Sequence, residues 1–92
     1  MIVGVDIDGT LCNETDGWDY ENRTPRLDII KKVNALHKKG WVVVLYTARR
    51  EYDRFKTVVW LKKYKVKYDD IIFDKPKFDL YVGDEVKRPE EL

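Results

Sequence analysis

The sequence predicts an α/β fold, a compact Rossmann-like three-layer sandwich around a mainly parallel sheet. Two observations predict it. Short apolar runs alternate along the chain with segments of helical spacing, which is the pattern of βαβ units. Each apolar run is also followed by polar or charged residues, as expected when the carboxyl ends of parallel strands form a ligand site at one edge of the sheet.

The predicted strands are four apolar runs bounded by turn residues. They cover residues 2–7, 41–46, 71–73 and 80–82. Because the runs are rich in β-branched residues and lack regular polar alternation, we expect buried strands. Helices between them would form right-handed crossovers, which make the strands parallel.

Two segments with helical spacing connect the first three strands. The first opens at Thr24-Pro25, because threonine can cap a helix and proline is tolerated at its first position, and it ends near Gly40. The second covers residues 51–64, and its residues expected to face mostly inward are Tyr52, Phe55, Val59 and Trp60. Residues 12–23 are polar and irregular, which predicts a flap over the site. No insertion between the predicted elements is large enough for a cap domain.

Composition limits the kinds of protein this chain can be. Its 92 residues suffice for one small domain, taken here as 1–92. With 18 basic and 17 acidic side chains, the net charge of +1 provides no overall attraction to duplex DNA or an anionic membrane. Cys12 is the only cysteine, so an internal disulfide is excluded, and we expect a packed thiol in a reducing cytoplasm. No apolar run reaches the roughly 20 residues that span a bilayer, so we expect no membrane partner.

Polar side chains follow every predicted strand. Asp6 and Asp8 end the first, Thr47 the second, Lys75 follows the third, and Asp84 the fourth. The three aspartates provide the hard oxygen ligands that Mg²⁺ prefers, with water and a substrate phosphate completing its shell. Thr47 offers a hydroxyl and a backbone N–H to a phosphate, and Lys75 offers a compact cation. The sequence therefore predicts a magnesium site that faces a phosphoryl group.

These residues also lie in four motifs that occur in order along the chain. DIDGTL at 6–11, Thr47 in LYTAR, Lys75 in FDKP and Gly83-Asp84 resemble the motifs of haloacid dehalogenase (HAD) superfamily phosphatases. The match is nearer to small capless members associated with capsule or polysaccharide biosynthesis. The resemblance implies a HAD-like domain without a cap and a phosphomonoester hydrolase that acts on a small metabolite such as a sugar phosphate.

The resemblance also implies a role for each site residue. Asp6 would attack the phosphorus and form an aspartyl-phosphate, and Asp8 would protonate the leaving oxygen and then activate water. Mg²⁺ would be held by Asp6, the backbone carbonyl of Asp8, and Asp84. The substrate would be bound by Thr47, Ala48, Arg49 and Lys75.

Several alternatives stay open at this point. A basic stretch, formed by Lys62, Lys63, Lys65 and Lys67, also suits a nucleotide or polynucleotide-end phosphatase. A non-catalytic phosphate-binding module is a third hypothesis. Trp18 and Tyr20 could stack on a substrate or pack on the scaffold. Glu85 or Glu90 could complete the metal shell, and the small size of the chain leaves room for a homo-oligomer.

Overall fold

Strands and helices alternate along the chain in the computed structural model, which describes residues 1–14, 19–76, 80, 82 and 87–92. The strands are β1 (Ile2–Val5), β2 (Val42–Tyr46) and β3 (Asp70–Ile72), and the helices are α1 (Leu27–Lys38) and α2 (Arg54–Lys63). Each helix connects two consecutive strands, which confirms the predicted α/β class. Neither helix in the described ranges is long and apolar enough to cross a lipid bilayer.

The three strands form a parallel sheet in the order β1, β2, β3. Val3 is in register with Val43, and Leu45 is in register with Ile71. Because the strands are parallel, their carboxyl ends lie at the same edge of the sheet. The prediction of a buried fourth strand at 80–82 is wrong for Leu80 and Val82, which lie in no strand and are 79% and 82% exposed. Tyr81 lies outside the described residues.

One hydrophobic core joins the sheet to both helices. Its members come from all three strands and both α-helices and include Val5, Val43, Leu45, Ile71, Ile29, Val33, Trp60 and Leu61. Within β2, Val43 and Leu45 are buried, whereas Val42 and Tyr46 are exposed. Successive side chains of a strand point to opposite faces, and this core includes only one face of β2. The prediction of a strand buried along its whole length is therefore wrong for alternate residues.

Helix α1 begins two residues later than the Pro25 start that the sequence predicted. Its N-cap residue is Arg26, and no side chain caps it, so Thr24 is not the cap. The Thr24 carbonyl instead accepts a hydrogen bond from the Asn13 N–H at 2.9 Å, and Pro25 forms an antiparallel bridge with Cys12. Thr24 and Pro25 therefore pair with Cys12 and Asn13, which follow the turn after Asp8, and the helix begins only after this pairing.

Helix α2 buries a different face from the one predicted. Trp60 is buried, but Tyr52, Phe55 and Val59 are 85%, 80% and 49% exposed. The buried residues of α2 are Thr57, Trp60 and Leu61, which also follow helical spacing. The segment thus carries two apolar stripes, and periodicity alone could not select the inner one. The first predicted turn is a separate 3₁₀ helix, Glu51–Asp53.

Candidate active site

Asp6 and Lys75 meet at the carboxyl edge of the sheet. Asp6 directly follows β1, and about half of its side chain is exposed. Lys75 lies three residues beyond β3, and its Nζ contacts Asp6 Oδ1. The Lys75 N–H donates to the Thr47 carbonyl at 2.9 Å, which ties the segment after β3 to the end of β2. Two residues that the sequence separates widely are thereby brought together, as predicted.

Two left-handed backbone positions shape this edge. Gly9 has a φ of +83°, a conformation that glycine adopts without steric cost, in the turn where three successive amides, of residues 10–12, donate to the Ile7 carbonyl. Asp74 has a φ of +61°, and its N–H donates to the Arg49 carbonyl at 2.9 Å. The second position holds the backbone next to Lys75 against the loop that follows β2.

Asp8 is held by two arginines. Arg49 donates from Nε to Oδ2 at 2.9 Å and from Nη2 to Oδ1 at 2.7 Å, a bidentate pair, and Arg23 Nη1 lies 3.4 Å from Oδ1. Burial by itself would raise the pKa of Asp8, but the hydrogen bonds and charge of Arg49, with help from Arg23 and Cys12, hold that pKa below its usual value. Asp8 is therefore an ionised carboxylate at neutral pH.

The Arg49 side chain is fully engaged within the fold. It is 2% exposed, its Nη1 donates to Thr57 Oγ1 at 3.0 Å, and its guanidinium carbon lies 4.0 Å from the centroid of the Tyr20 ring. Tyr20 is itself buried, with Arg23 also over its ring at 5.2 Å. Of the two alternatives for Tyr20, stacking on a substrate or packing on the scaffold, the structure therefore shows packing on the scaffold. Trp18 lies outside the described residues.

Arg23 is a site residue that the sequence analysis missed. It is buried, its Nη1 also donates to the Asn13 carbonyl at 3.5 Å, and its own carbonyl accepts from Trp60 Nε1 at 2.9 Å. Its position in the flap follows no motif spacing. The available signal was electrostatic, because adjacent carboxylates resist desolvation and require compensating positive charge, and Arg23 is the arginine nearest to them in sequence.

Thr47 lies at the same edge but uses its backbone differently from the prediction. Its N–H donates to the Ile72 carbonyl at 2.9 Å, and its Oγ1 accepts from the Arg49 N–H at 3.1 Å. The expectation that this N–H would bind phosphate is therefore wrong, because the sheet already uses it. Thr47 does not cap α2 either, since the N-cap residue is Asp53. Ala48 follows Thr47 and is exposed.

The predicted metal ligands are only partly within the described residues. Asp6 and Asp8 lie at the sheet edge, whereas Asp84 and the alternative Glu85 lie outside the described residues. In the described ranges, no group of three or more His, Cys, Asp or Glu side chains could hold a metal ion. The oxygen donors of these residues fit Mg²⁺ chemically. The Asp8 side chain is occupied by arginines, which is compatible with the expectation that Asp8 would bind Mg²⁺ through its backbone carbonyl. Glu90 instead approaches Arg26, with 4.0 Å between Oε1 and Nη1.

A cavity of about 1100 Å³ borders Asp6. Its lining includes Thr10 and Tyr46 from the sheet edge, and Lys87 and Arg88 from the C-terminal segment. Neither basic residue was predicted from the sequence to lie near the site. Most of the lining belongs to β1, α1 and the C-terminal segment and extends to Lys39 and Trp41, so only part of the cavity borders the candidate site.

Comparison with solved structures supports this fold. A structural-genomics target from Vibrio cholerae is 31% identical, with a TM-score of 0.84; the match covers 98% of this chain and 85% of that one. Chains in structures of the Pnkp1/Rnl/Hen1 complex and of the Pnkp1/Rnl/Hen1 RNA repair complex are 21% and 23% identical, with TM-scores of 0.69 and 0.68. Those matches cover 87% and 78% of this chain but only 29% and 24% of the larger chains, and they show likeness of fold alone. No family model and no curated protein matches the sequence.

Proposed function

The chain belongs to the same family as the Vibrio cholerae protein, and for this family member we propose a Mg²⁺-dependent phosphomonoester hydrolase of the haloacid dehalogenase type. The contact between Asp6 and Lys75 at the sheet edge carries the proposal. A half-exposed carboxylate beside an ammonium group is a candidate nucleophile whose negative charge is balanced while it approaches a phosphate. The order of the four motifs in the sequence supports the same reaction.

In the first step, an oxygen of Asp6 attacks the phosphorus, and the ester P–O bond breaks. The leaving oxygen takes a proton from Asp8, whose carboxylate must first be protonated because the arginine contacts keep it ionised at rest, and the phosphoryl group becomes bound to Asp6. The Lys75 ammonium binds the transferring group and counters its negative charge. Mg²⁺, when bound by Asp6, the Asp8 carbonyl and Asp84, would supply further neutralisation of the phosphate.

In the second step, water attacks the phosphorus of the aspartyl-phosphate. Asp8 accepts the proton of that water, the bond between phosphorus and Asp6 breaks, and phosphate leaves. The proton given to the leaving oxygen is thus regained, and the sum is ester plus water to alcohol plus phosphate. The arginine contacts that keep Asp8 ionised support this base role more directly than the acid role.

Arg49 has a different role in this proposal from the substrate binding first predicted. Its side chain is buried and bound to Asp8, Thr57 and the Tyr20 ring. Arg49 would therefore act as a positioning residue that fixes the orientation of Asp8. Lys75, which is partly exposed beside Asp6, would contact the phosphoryl group.

The substrate class has two candidates. A small phosphorylated metabolite such as a sugar phosphate suits the open site. A nucleotide or polynucleotide end is the second candidate, and the fold likeness to chains of an RNA repair complex supports it. Release of phosphate from a sugar phosphate and from an end-phosphorylated oligonucleotide, measured side by side, distinguishes them.

Hydrolysis of para-nitrophenyl phosphate tests the proposed reaction. We expect turnover with Mg²⁺, none after chelation, and none with Asp6→Asn, because the amide keeps the shape of the side chain but removes the nucleophile. Asp28→Asn in α1 is the matched control, since Asp28 is an exposed acid on another element and its variant should stay active. Turnover that persists in Asp6→Asn, or that is independent of Mg²⁺, would overturn the proposal. Asp84→Ala should raise the Mg²⁺ requirement or abolish activity.

A further inference from the structure

Helix α2 presents an apolar stripe to solvent beside the candidate site. Tyr52 and Phe55 are almost fully exposed, and Val59, one helical turn further on, is about half exposed. The spacing of four residues places Phe55 and Val59 along one side of α2, and Tyr52 lies in the 3₁₀ helix Glu51–Asp53 that directly precedes it. Large exposed aromatic side chains in line indicate a contact surface, because scattered single apolar residues would not share one face.

Basic side chains flank this stripe, and no acid interrupts them within the helix. Lys56 lies three residues before Val59, and Lys62 and Lys63 lie three and four residues after it, which puts all three lysines next to Val59 on the helix. All three lysines are exposed. Residues 54–67 contain six basic side chains and no acidic one, in a chain whose net charge is only +1. We call Tyr52, Phe55, Lys56, Val59, Lys62 and Lys63 the α2 outer face.

The α2 outer face begins at the same sheet edge as the candidate site. Tyr52 lies three residues after Arg49, so their Cα atoms are at most about 11 Å apart. The guanidinium of Arg54 lies over the Phe73 ring at 4.6 Å, and Phe73 is two residues before Lys75. From there the 10 residues of α2 extend about 15 Å away from the edge.

We propose that the α2 outer face binds single-stranded nucleic acid and delivers its phosphorylated end to Asp6 and Lys75. Bases would stack on Phe55 and Tyr52, and the phosphate backbone would follow Lys56, Lys62 and Lys63. This combination of aromatic faces and a line of cations is what sequence-independent recognition of single strands uses. The delivery of the end to Asp6 rests on the proposed phosphatase function, because it takes the terminal phosphate as the substrate.

Fluorescence anisotropy with end-phosphorylated oligonucleotides of about 12 nucleotides, as RNA and as DNA, tests whether the α2 outer face binds single strands. We expect Phe55→Ala to weaken binding about 10-fold, because one base loses its stacking partner. The double variant Lys62→Gln/Lys63→Gln should reduce the slope of log affinity against log salt by about 1.4, at about 0.7 per lost phosphate contact. Lys31→Gln/Lys38→Gln is the matched control on α1, where both lysines are exposed, and it should leave affinity and slope unchanged.

Turnover of para-nitrophenyl phosphate by the same variants separates this inference from the proposed function. The α2 variants should keep wild-type aryl phosphate turnover while losing activity on oligonucleotide ends. Aryl phosphate turnover without oligonucleotide binding, or equal effects of the α1 and α2 pairs, would overturn the docking surface and leave the phosphatase intact. If the α2 variants weaken oligonucleotide binding but the wild type hydrolyses no phosphate ester, the proposed nucleic-acid surface would be supported and the proposed phosphatase function overturned.

Two other occupants of the α2 outer face are tested by the same material. Binding of the wild type to phosphatidylserine vesicles but not to oligonucleotides would overturn the proposal in favour of a membrane surface. A dimer in analytical ultracentrifugation that Phe55→Ala dissociates, again without oligonucleotide binding, would overturn it in favour of a second copy of the chain.

Discussion

Replacing Arg49 by Met tests whether the arginine contacts of Asp8 stabilise the fold. Methionine keeps most of the apolar stem but removes the bidentate pair with Asp8 and the donor to Thr57 Oγ1. Removing one partner of a buried ion pair costs about 3–5 kcal/mol, and a lost hydrogen bond about 1 kcal/mol. Because the Asp8 side chain is 20% exposed and Arg23 still contacts it, the lower end applies, and we expect a loss of about 3 kcal/mol.

Urea unfolding at pH 7, followed by tryptophan fluorescence, to which the buried Trp60 contributes, measures this loss. Arg50→Met is the control, because Arg50 is exposed and lies 3.6 Å from Asp74 in a surface pair, which should contribute less than about 1 kcal/mol. The double variant Asp8→Asn/Arg49→Met removes both charges of the Asp8–Arg49 pair, and Arg23 loses the same contact as in Asp8→Asn alone. Its cost should therefore fall below the sum of the single variants by about 2 kcal/mol. A loss for Arg49→Met no larger than for Arg50→Met, or strict additivity in the double variant, would refute the reasoning.

Three further predictions concern residues around this pair. Asp8 has a lower pKa in the folded than in the unfolded state, so its stabilising effect is present above about pH 4 and is lost as the pH falls through the folded pKa. Between about pH 5 and 3, the wild type should therefore lose more free energy of unfolding than Asp8→Asn does. Equal losses in the two proteins would contradict this prediction. Cys12 is buried, and burial together with the Asp8 charge raises the pKa of its thiol to about 12, so Ellman's reagent should react with it only in denaturant, and fast reaction of the native protein would be contrary evidence. Trp60→Phe removes the hydrogen bond to the Arg23 carbonyl and should cost about 1–2 kcal/mol in urea unfolding followed by circular dichroism, whereas unchanged stability would show that this bond does not hold the flap.

The site positions were predictable because they depend on strand order. Once residues 2–7, 41–46 and 71–73 are recognised as parallel strands, Asp6, Thr47 and Lys75 must lie at or just after carboxyl ends that share one edge. The structure shows these three positions in contact, and strand order alone was enough to predict that they share an edge. Strand polarity is a strong constraint, and small errors in strand boundaries do not alter it.

The burial of α2 was not predictable in the same way. The segment has apolar residues on two sides, and both Tyr52-Phe55-Val59 and Thr57-Trp60-Leu61 fit helical spacing. The inner face is chosen by long-range packing, including the bond from Trp60 to the Arg23 carbonyl 37 residues away. The start of α1 was missed for a similar reason, because the bridge between Pro25 and Cys12 outweighs the local capping preference of Thr24.

The flap shows a limit of motif reasoning. Arg23 and Tyr20 lie in a polar loop without periodicity, yet both are buried against Arg49 or Asp8. Their positions follow from the charge of Asp8, which needs cations once it is removed from water. A sequence pattern identifies the carboxylate, but the identity of its cationic partner depends on the folded loop.

Borohydride reduction during aryl phosphate turnover tests the proposed chemistry most directly. An aspartyl-phosphate is an acyl phosphate, and its reduction converts the aspartate into homoserine, which peptide mass spectrometry locates in the sequence. We predict homoserine at position 6, dependent on Mg²⁺ and on substrate, with Asp8 unchanged. Turnover at the wild-type rate with Asp6 unmodified, or with homoserine at position 8 instead, would contradict the assignment of Asp6 as the nucleophile.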